Sequence, residues 1–347
     1  MKGNCDVLIR GEGIAASCCR SLLEQAGLHP AIESLGRPKL PAVMLGDTAQ
    51  KLLRDIFKRE DLFAGLPRIR RRVVAWGEDF KLVAVPHSAV VVSEQELLDR
   101  VQGPGPPGRQ PSGTTAQWTI LATSVSLTGR SIHHFGSRLA VASSVKLKPD
   151  SDLETCWIES CEAGWLFLLP GDKENAWLLS VGHSSESLLE TSRLVKDQIL
   201  ELRPSSGAFA SHPRVVLPLS EPGWIACGTG ALAFDPLCGD GVGNAAREAI
   251  LGSAVIRAAI DGEDTDRLAG YYHARLLSGF LRHIALCLEF YRSGGSGAWW
   301  KKQTRDLQDA CSPLNVSGEA AFRYRLNGFT LEHLKSPPCE EGWTRHQ

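Results

Sequence analysis

The chain is predicted to be an α/β protein: a Rossmann-like domain interrupted by an inserted antiparallel β-sheet and completed by C-terminal helices. Three observations predict this. A β-α-β pattern occupies the first 33 residues, short strands fill the stretch from 139 to 182, and an apolar strand at 224–227 runs into a long helical pattern. Parallel β-α-β units and consecutive antiparallel strands belong to different layers. A late strand and helix that rejoin the first unit therefore imply a discontinuous domain with the strands inserted into it.

Each element has its own reason. Residues 5–10 are a short apolar strand, and Gly11-Glu12-Gly13 is a tight turn. Apolar residues recur at helical spacing from Ile14 to Ala26, and Gly27 is the stop. Pro30 to Glu33 is a second strand, and Ala49 to Phe57 is helical by pattern. Strands are expected at 72–77 and 82–92, the second rich in valine. Ser93 reads as a helix N-cap, with Glu96 completing a capping box for a helix to about Val101. Gly103 to Thr115 is a Gly/Pro/Ser/Thr loop. Further strands are expected at 118–122, 139–147, 156–162, 164–169 and 176–182, with a turn at Pro170-Gly171-Asp172 before the last. Helices are expected at about 187–202, 244–260, 266–292 and 299–310.

Composition bounds the function. The chain has 347 residues, enough for roughly two lobes of about 100–200 residues. Its 43% hydrophobic and 22% charged residues are an ordinary globular balance, and a net charge of −1 offers no field for nucleic acid. Arg68-Ile69-Arg70-Arg71-Arg72 is short, runs into apolar residues, and reads as a solvated strand start or an anion contact, not a nucleic-acid site. The ten cysteines include no CxxC pair and no zinc-finger spacing, so they read as reduced thiols and no metal site is expected. There is no signal-peptide pattern and no apolar run of about 18 residues. A soluble, cytoplasmic protein without membrane contact is the expectation.

Gly11-Glu12-Gly13-Ile14-Ala15-Ala16 matches GxGxxG/A between a strand and a helix. Gly11 permits the turn, Gly13 lets backbone approach a pyrophosphate, and Ala16 lets the helix pack closely on the strand. The helix N-terminus, at Ile14 and Ala15, favours the anion. Glu33 lies 20 residues after Gly13, at the end of the next strand, where an acid binds an adenosine ribose hydroxyl. This fingerprint does not choose between NAD and FAD.

A second motif does. Residues 228–249 place a turn at Asp235-Pro236 and a glycine-rich loop before a helix: Gly239, Asp240, Gly241, Val242, Gly243, Asn244. Such a loop presents N–H groups and a helix dipole to a flavin edge. Here the chain resembles the aromatic hydroxylase-fold flavoproteins, whose late motif reads GDA…P…GxG…A. The eight-residue spacing from Gly228 to Pro236 and the glycines at 239 and 241 carry the likeness. Gly164-Trp165-Leu166-Phe167-Leu168-Leu169-Pro170 is similar to the GWxWxIP stretch of flavin-dependent halogenases. Asp235-Pro236-Leu237, Leu288 to Tyr291 and Trp299-Trp300 resemble that branch too. A closer likeness is to halogenase-like flavoproteins that modify side chains of a partner polypeptide during maturation of peptide-derived quinone cofactors.

The resemblance implies FAD as cofactor. It implies a domain over 1–71, 93–145 and 212–310 to hold it, a substrate domain over 72–92 and 146–211, and a tail over 311–347. It implies a monooxygenase acting on a small aromatic substrate or a peptide side chain, with NAD(P)H or an external reductase as electron donor. A halogenase, a simple dehydrogenase or oxidase, and a flavin-binding protein without turnover are the alternatives. The sequence departs from the pattern in four places. Thr229 replaces the Asp that bonds the ribityl chain, Ser93 stands where hydroxylases have an Arg, and Ala122-Thr123-Ser124 replaces the middle DG motif. No clear match exists for the halogenase lysine, Lys81 being the nearest. His87 on the substrate sheet, and Trp165 and Phe167 facing the flavin, are the candidate catalytic residues. Asp240 and Asn244 are expected to position the loop by capping its helix.

Overall fold

The computed structural model describes residues 5–102, 116–124, 129–171, 175–205, 207–238, 240–311 and 324–334. The loop at 103–115, Asp172, Gly239 and most of the 311–347 tail lie outside them.

Strand β1 (Cys5–Arg10), helix α1 (Ile14–Gln25) and strand β2 (Pro30–Glu33) form the expected opening unit. β3 (Val43–Gly46), α2 (Asp47–Phe57), β4 (Arg68–Ala75), β5 (Leu82–Val92) and α3 (Glu94–Gln102) follow. The middle holds β6 (Ala116–Leu121), β7 (Ser131–His134), β8 (Leu139–Leu147), β9 (Thr155–Cys161), β10 (Gly164–Pro170) and β11 (Asn175–Val181). Next come α4 (Ser185–Thr191), β12 (Ile199–Leu202), β13 (Ala208–Ala210), β14 (Arg214–Leu217), β15 (Ser220–Glu221), β16 (Trp224–Ala226) and β17 (Leu232–Ala233). The chain then runs through α5 (Gly241–Ile260), α6 (Thr265–Ser293) and α7 (Ala298–Cys311) to the hairpin β18 (Tyr324–Asn327) and β19 (Thr330–His333).

Two sheets organise these elements. The first has the order β15-β16-β6-β1-β2, with β16, β6, β1 and β2 parallel. Trp224, Ile225 and Ala226 pair with Thr119, Ile120 and Leu121, so the late strand does rejoin the first unit. The second has the order β12-β8-β11-β10-β9-β4-β5-β3, with β13 also on β8, and is antiparallel except between β4 and β9. The boundaries drawn from sequence at 71/72 and 145/146 fall inside β4 and β8. α1 and α5 pack together beside the first sheet, and both bury most of their length. α5 is apolar on nearly all faces (Ala246, Ala249, Ile250, Val255, Ile256), as a helix enclosed on all sides must be.

Three expectations fail locally. The helix predicted over 187–202 stops at Thr191. The buried Glu159 carboxylate of β9 accepts hydrogen bonds from Ser192 Oγ and from the amides of Arg193, Leu194 and Val195. Those amides bind an acceptor from another strand, so they cannot extend the helix, and β12 pairs with β8 instead. The capping box at α3 is half formed. Ser93 Oγ accepts from Glu96 N at 3.1 Å, but the Glu96 carboxylate turns to Arg100 at 2.9 Å. Strands β3, β7, β12 to β15 and β17 went unpredicted; at two to four residues they are too short to show a period of two. No described helix is long and apolar enough to cross a membrane.

Candidate functional site: two glycine turns and an apolar sheet face

β1, β6 and β16 end side by side, so the turns that follow them meet at one edge of the parallel sheet. Gly11 has φ +116° and Gly13 φ +103°, values that favour glycine. A Cβ on Gly11 would lie 2.6 Å from Thr123 N, and Thr123 Oγ1 in turn accepts from Glu12 N at 3.2 Å. Thus Ala122-Thr123-Ser124 does serve the site, as the wall against which the first turn packs. Gly11→Ala should destabilise the fold by about 1–3 kcal/mol. Urea unfolding of the variant would show it, and an unchanged midpoint would mean that the turn relaxes freely.

The second turn lies directly on the first. A Cβ at Gly228, whose φ is +55°, would come 2.6 Å from Ala15 Cβ. The two motifs, more than 200 residues apart, are therefore in contact. Neither following helix is capped by a side chain. Gly13 is the N-cap of α1 and offers none, and Asp240 at the N-cap of α5 makes no side-chain cap bond. The expected capping by Asp240 and Asn244 does not form. Both are drawn to Arg247 Nη1, at 2.7 and 3.0 Å, because a guanidinium two turns into α5 competes better than the backbone amides. Both helix N-termini are thus free of side-chain caps. Ile14, Ala15 and Ala16 are buried under the first, while Gly241, Val242 and Gly243 open the second.

Charged groups that the sequence reading missed surround the first turn. Arg37 lies over Gly13, where a Cβ would come 2.5 Å from its Nη2, and it is paired with the buried Glu94. Glu94 also accepts from Leu40 N at 2.9 Å. Lys39 Nζ lies 2.7 Å from Glu12. Burial works against charge on Glu12, but Lys39 and the Arg37 amide outweigh it and hold the carboxyl below the usual range. Glu33 remains partly exposed and is held by Arg10 Nε at 2.6 Å. Only the basic residues four and six positions after Glu33 hinted at this cluster; Glu94 had no local signal.

The turn at Asp235-Pro236-Leu237 is anchored from inside. The Asp235 side chain has no exposure and accepts from Arg138 Nη2 at 2.9 Å, Tyr291 Oη at 3.0 Å and Leu237 N at 3.0 Å. Arg138 also reaches Gln303 on α7, and its guanidinium lies over the Tyr291 ring. Trp165 Nε1 donates to Tyr291 Oη at 3.3 Å. The Asp235 side chain is held by three protein donors and fixes the start of the turn from inside. Trp165 is 1% exposed and belongs to this buried network, not to an open face. Pro236 opens a 3₁₀ turn that the Asp235–Leu237 bond stabilises. Thr229 is exposed, its hydroxyl at a long 3.5 Å from the Ala122 carbonyl. Gly239 lies outside the described residues.

Phe167 takes part in a different surface. Val83, Val74, Ile158, Phe167, Leu179 and Ala142 are register partners across six strands, so they share one face of the larger sheet. All six are partly or fully exposed, whereas Trp157, Leu166, Leu168 and Leu178 on the opposite face are buried. The row runs about 24 Å at the usual strand spacing and holds no charged group. His87 stands apart from it. It lies on β5, about 14 Å from β10 in strand spacing alone, with its Nε2 3.2 Å from Arg72 Nη2. Burial and Arg72 both lower its pKa. His87 and Phe167 thus stand three strands apart in the same sheet. Lys81 is exposed at the start of β5. An open cleft of about 770 Å³ between residues 76–79 and the start of α7 is lined by none of the candidate residues.

No model of a known protein family matches the chain, and no curated protein matches it in sequence. Its likeness to known proteins is structural. The flavin-dependent halogenase CmlS is similar over 93% of this chain and 72% of its own, with TM-score 0.72 and 16% identity. The myxobacterial chondrochloren halogenase CndH, a variant of FAD-dependent halogenases, is similar over 91% and 87%, with TM-score 0.70 and 15% identity. The peptidyl tryptophan dihydroxylase QhpG, essential for tryptophylquinone cofactor biogenesis, is similar over 96% and 86%, with TM-score 0.68 and 14% identity. At these identities what is shared is the fold, and it is the α/β fold with an inserted sheet expected from the sequence.

Proposed function

We propose that this protein binds one FAD at the paired glycine turns and is an FAD-dependent monooxygenase. Its substrate class is an electron-rich aromatic ring, including a ring on a peptide side chain. One observation carries the reading: Gly228 rests on Ala15, so the second glycine turn lies on the uncapped N-terminus of α1, at the carboxyl ends of three parallel strands. In this reading the first sheet builds the cofactor lobe and the larger sheet the substrate lobe.

The residues present fit a dinucleotide. Gly11 and Gly13 keep the approach free of side-chain carbons, and the amides of Ile14 to Ala16 face a pyrophosphate. Arg37 sits over Gly13 with its Nε buried and unpaired, ready to donate to the same anion. Glu33 accepts from a ribose hydroxyl. Gly241, Val242 and Gly243 present amides and the α5 dipole to the ring edge, the Asn244 amide being bonded to the Asp240 carbonyl. FAD, when bound, supplies the redox and oxygen chemistry. The chain contributes binding, orientation and an open apolar floor from Val83 to Ala142 against which a ring can pack. The length of that floor suits a ring carried on a larger molecule, as does the likeness to a peptidyl tryptophan hydroxylase. Electrons come from NAD(P)H bound transiently or from a separate reductase, since the chain carries a single dinucleotide fingerprint.

The purified protein should show the two visible flavin absorbance bands and release FAD on denaturation. A colourless protein that cannot be reconstituted with FAD would overturn the reading. Given a reductant and labelled oxygen, the label should enter an aromatic product. Halide-dependent product without label would instead establish halogenation, the reaction of two of the similar structures.

A further inference from the structure

Two arginines converge on the carbonyls of the Gly228–Gly230 turn. Arg130, directly before β7, donates from Nη2 to the Gly230 carbonyl at 2.9 Å, and its guanidinium lies 5.3 Å from the Trp224 ring centroid. Arg214, the first residue of β14, donates from Nη2 to the Thr229 carbonyl at 2.8 Å. Their remaining donors are not satisfied. Arg130 Nε and Nη1 and Arg214 Nη1 are buried without an acceptor among the described residues. Neither guanidinium forms an ion pair with a described carboxylate. Burial lowers the pKa of both, and Arg214 adds to the effect on Arg130. His134 is the register partner of Arg214 and lies 2.8 Å from His212, whose pKa is lowered by burial and by the charges of His134, Arg138 and Arg214, against a bond to the Arg138 carbonyl that raises it. Two guanidiniums and two imidazoles thus share one patch.

We propose that Arg130 and Arg214 form an anion site for a phosphate group, built on the Gly228–Gly230 turn from side chains other than those assigned to the cofactor. Buried N–H groups are seldom left unpaired, and charged ones least of all. A tetrahedral dianion accepts from several donors at once, and planar guanidinium forks match its geometry. Stacking on Trp224 holds the Arg130 fork in place before any ligand arrives. The phosphate comes from one of two sources: free phosphate, or the phosphate monoester of a nicotinamide co-substrate.

The test is calorimetric titration of inorganic phosphate into the purified full chain, loaded with FAD where it takes FAD up and colourless where it does not. The site therefore stands or falls separately from the cofactor. One saturable site is expected. Arg130→Gln and Arg214→Gln should each weaken it by about tenfold or more, while Arg20→Gln, on exposed α1 surface, should leave it unchanged. Thermal unfolding confirms that each variant folds, and Arg214→Lys provides a conservative check, with partial retention expected. Displacement of phosphate by NADPH but not NADH assigns the monoester source; displacement by neither assigns free phosphate. Absence of saturable binding, undiminished affinity in both Gln variants, or phosphate binding abolished by FAD would each overturn the proposal.

Discussion

Arg138→Met should lower the unfolding free energy by about 3–5 kcal/mol, a large part of what a protein of this kind possesses. Arg138 and Asp235 have no side-chain exposure, so removing the guanidinium leaves a carboxylate with no cation in a medium that cannot solvate it. Tyr291 and Leu237 N still donate to Asp235, but neither carries charge. The same carboxylate holds the turn at Leu237, so in the proposed FAD-bound state flavin content should fall with stability. The double variant Arg138→Met/Asp235→Leu should be less destabilised than Arg138→Met alone, because it removes the stranded charge along with its partner. Urea unfolding of the three proteins decides the matter. A loss below about 1 kcal/mol in Arg138→Met, the value of an exposed pair, would mean that the network does not depend on this pair.

Glu248→Gln should have the opposite sign and a pH dependence. Glu248 lies on α5 behind the second turn, 6% exposed, and accepts from Gly228 N at 2.7 Å. Burial pushes its carboxyl from 4.5 up to about 8, and the Gly228 amide opposes only part of the rise. The native state therefore binds a proton that the unfolded chain has released between those two values. Stability from this group is full below about pH 4.5 and is lost as pH rises to about 8, at up to 1.4 kcal/mol per pH unit. The whole loss is at most about 5 kcal/mol. Glutamine keeps the acceptor for Gly228 N and cannot ionise. The variant should match the parent near pH 5 and exceed it by several kcal/mol at pH 9. Urea unfolding at pH 5, 7 and 9 tests this, and a difference that stays constant across the three would show that Glu248 does not titrate with folding.

These two positions also mark where the sequence stopped being legible. Asp235 drew attention as part of a motif, and the motif is where expected. Its side chain faces inward because Arg138 and Tyr291, from distant elements, meet it there. Trp165 stands in a GWxWxIP-like stretch. One residue's alternation along β10 puts Phe167 on the same face, yet only Phe167 is left open, because α6 brings Tyr291 over Trp165. Helix 187–202 had an acceptable pattern and was broken by one buried carboxylate from β9.

What the sequence determined by itself was local: the strand–glycine–helix fingerprint at 5–25, the glycine loop before α5, the long apolar helices and the alternating strands of the middle block. Each follows from backbone preference and from a periodicity of 2 or 3.6 residues, which a linear chain carries in full. Tertiary structure alone decided which charges meet: Arg37 with Glu94, Arg138 with Asp235, and Arg130 beside Arg214. Those pairings depend on how two sheets bring together residues 57 to 97 positions apart, and no local pattern records a distance in space.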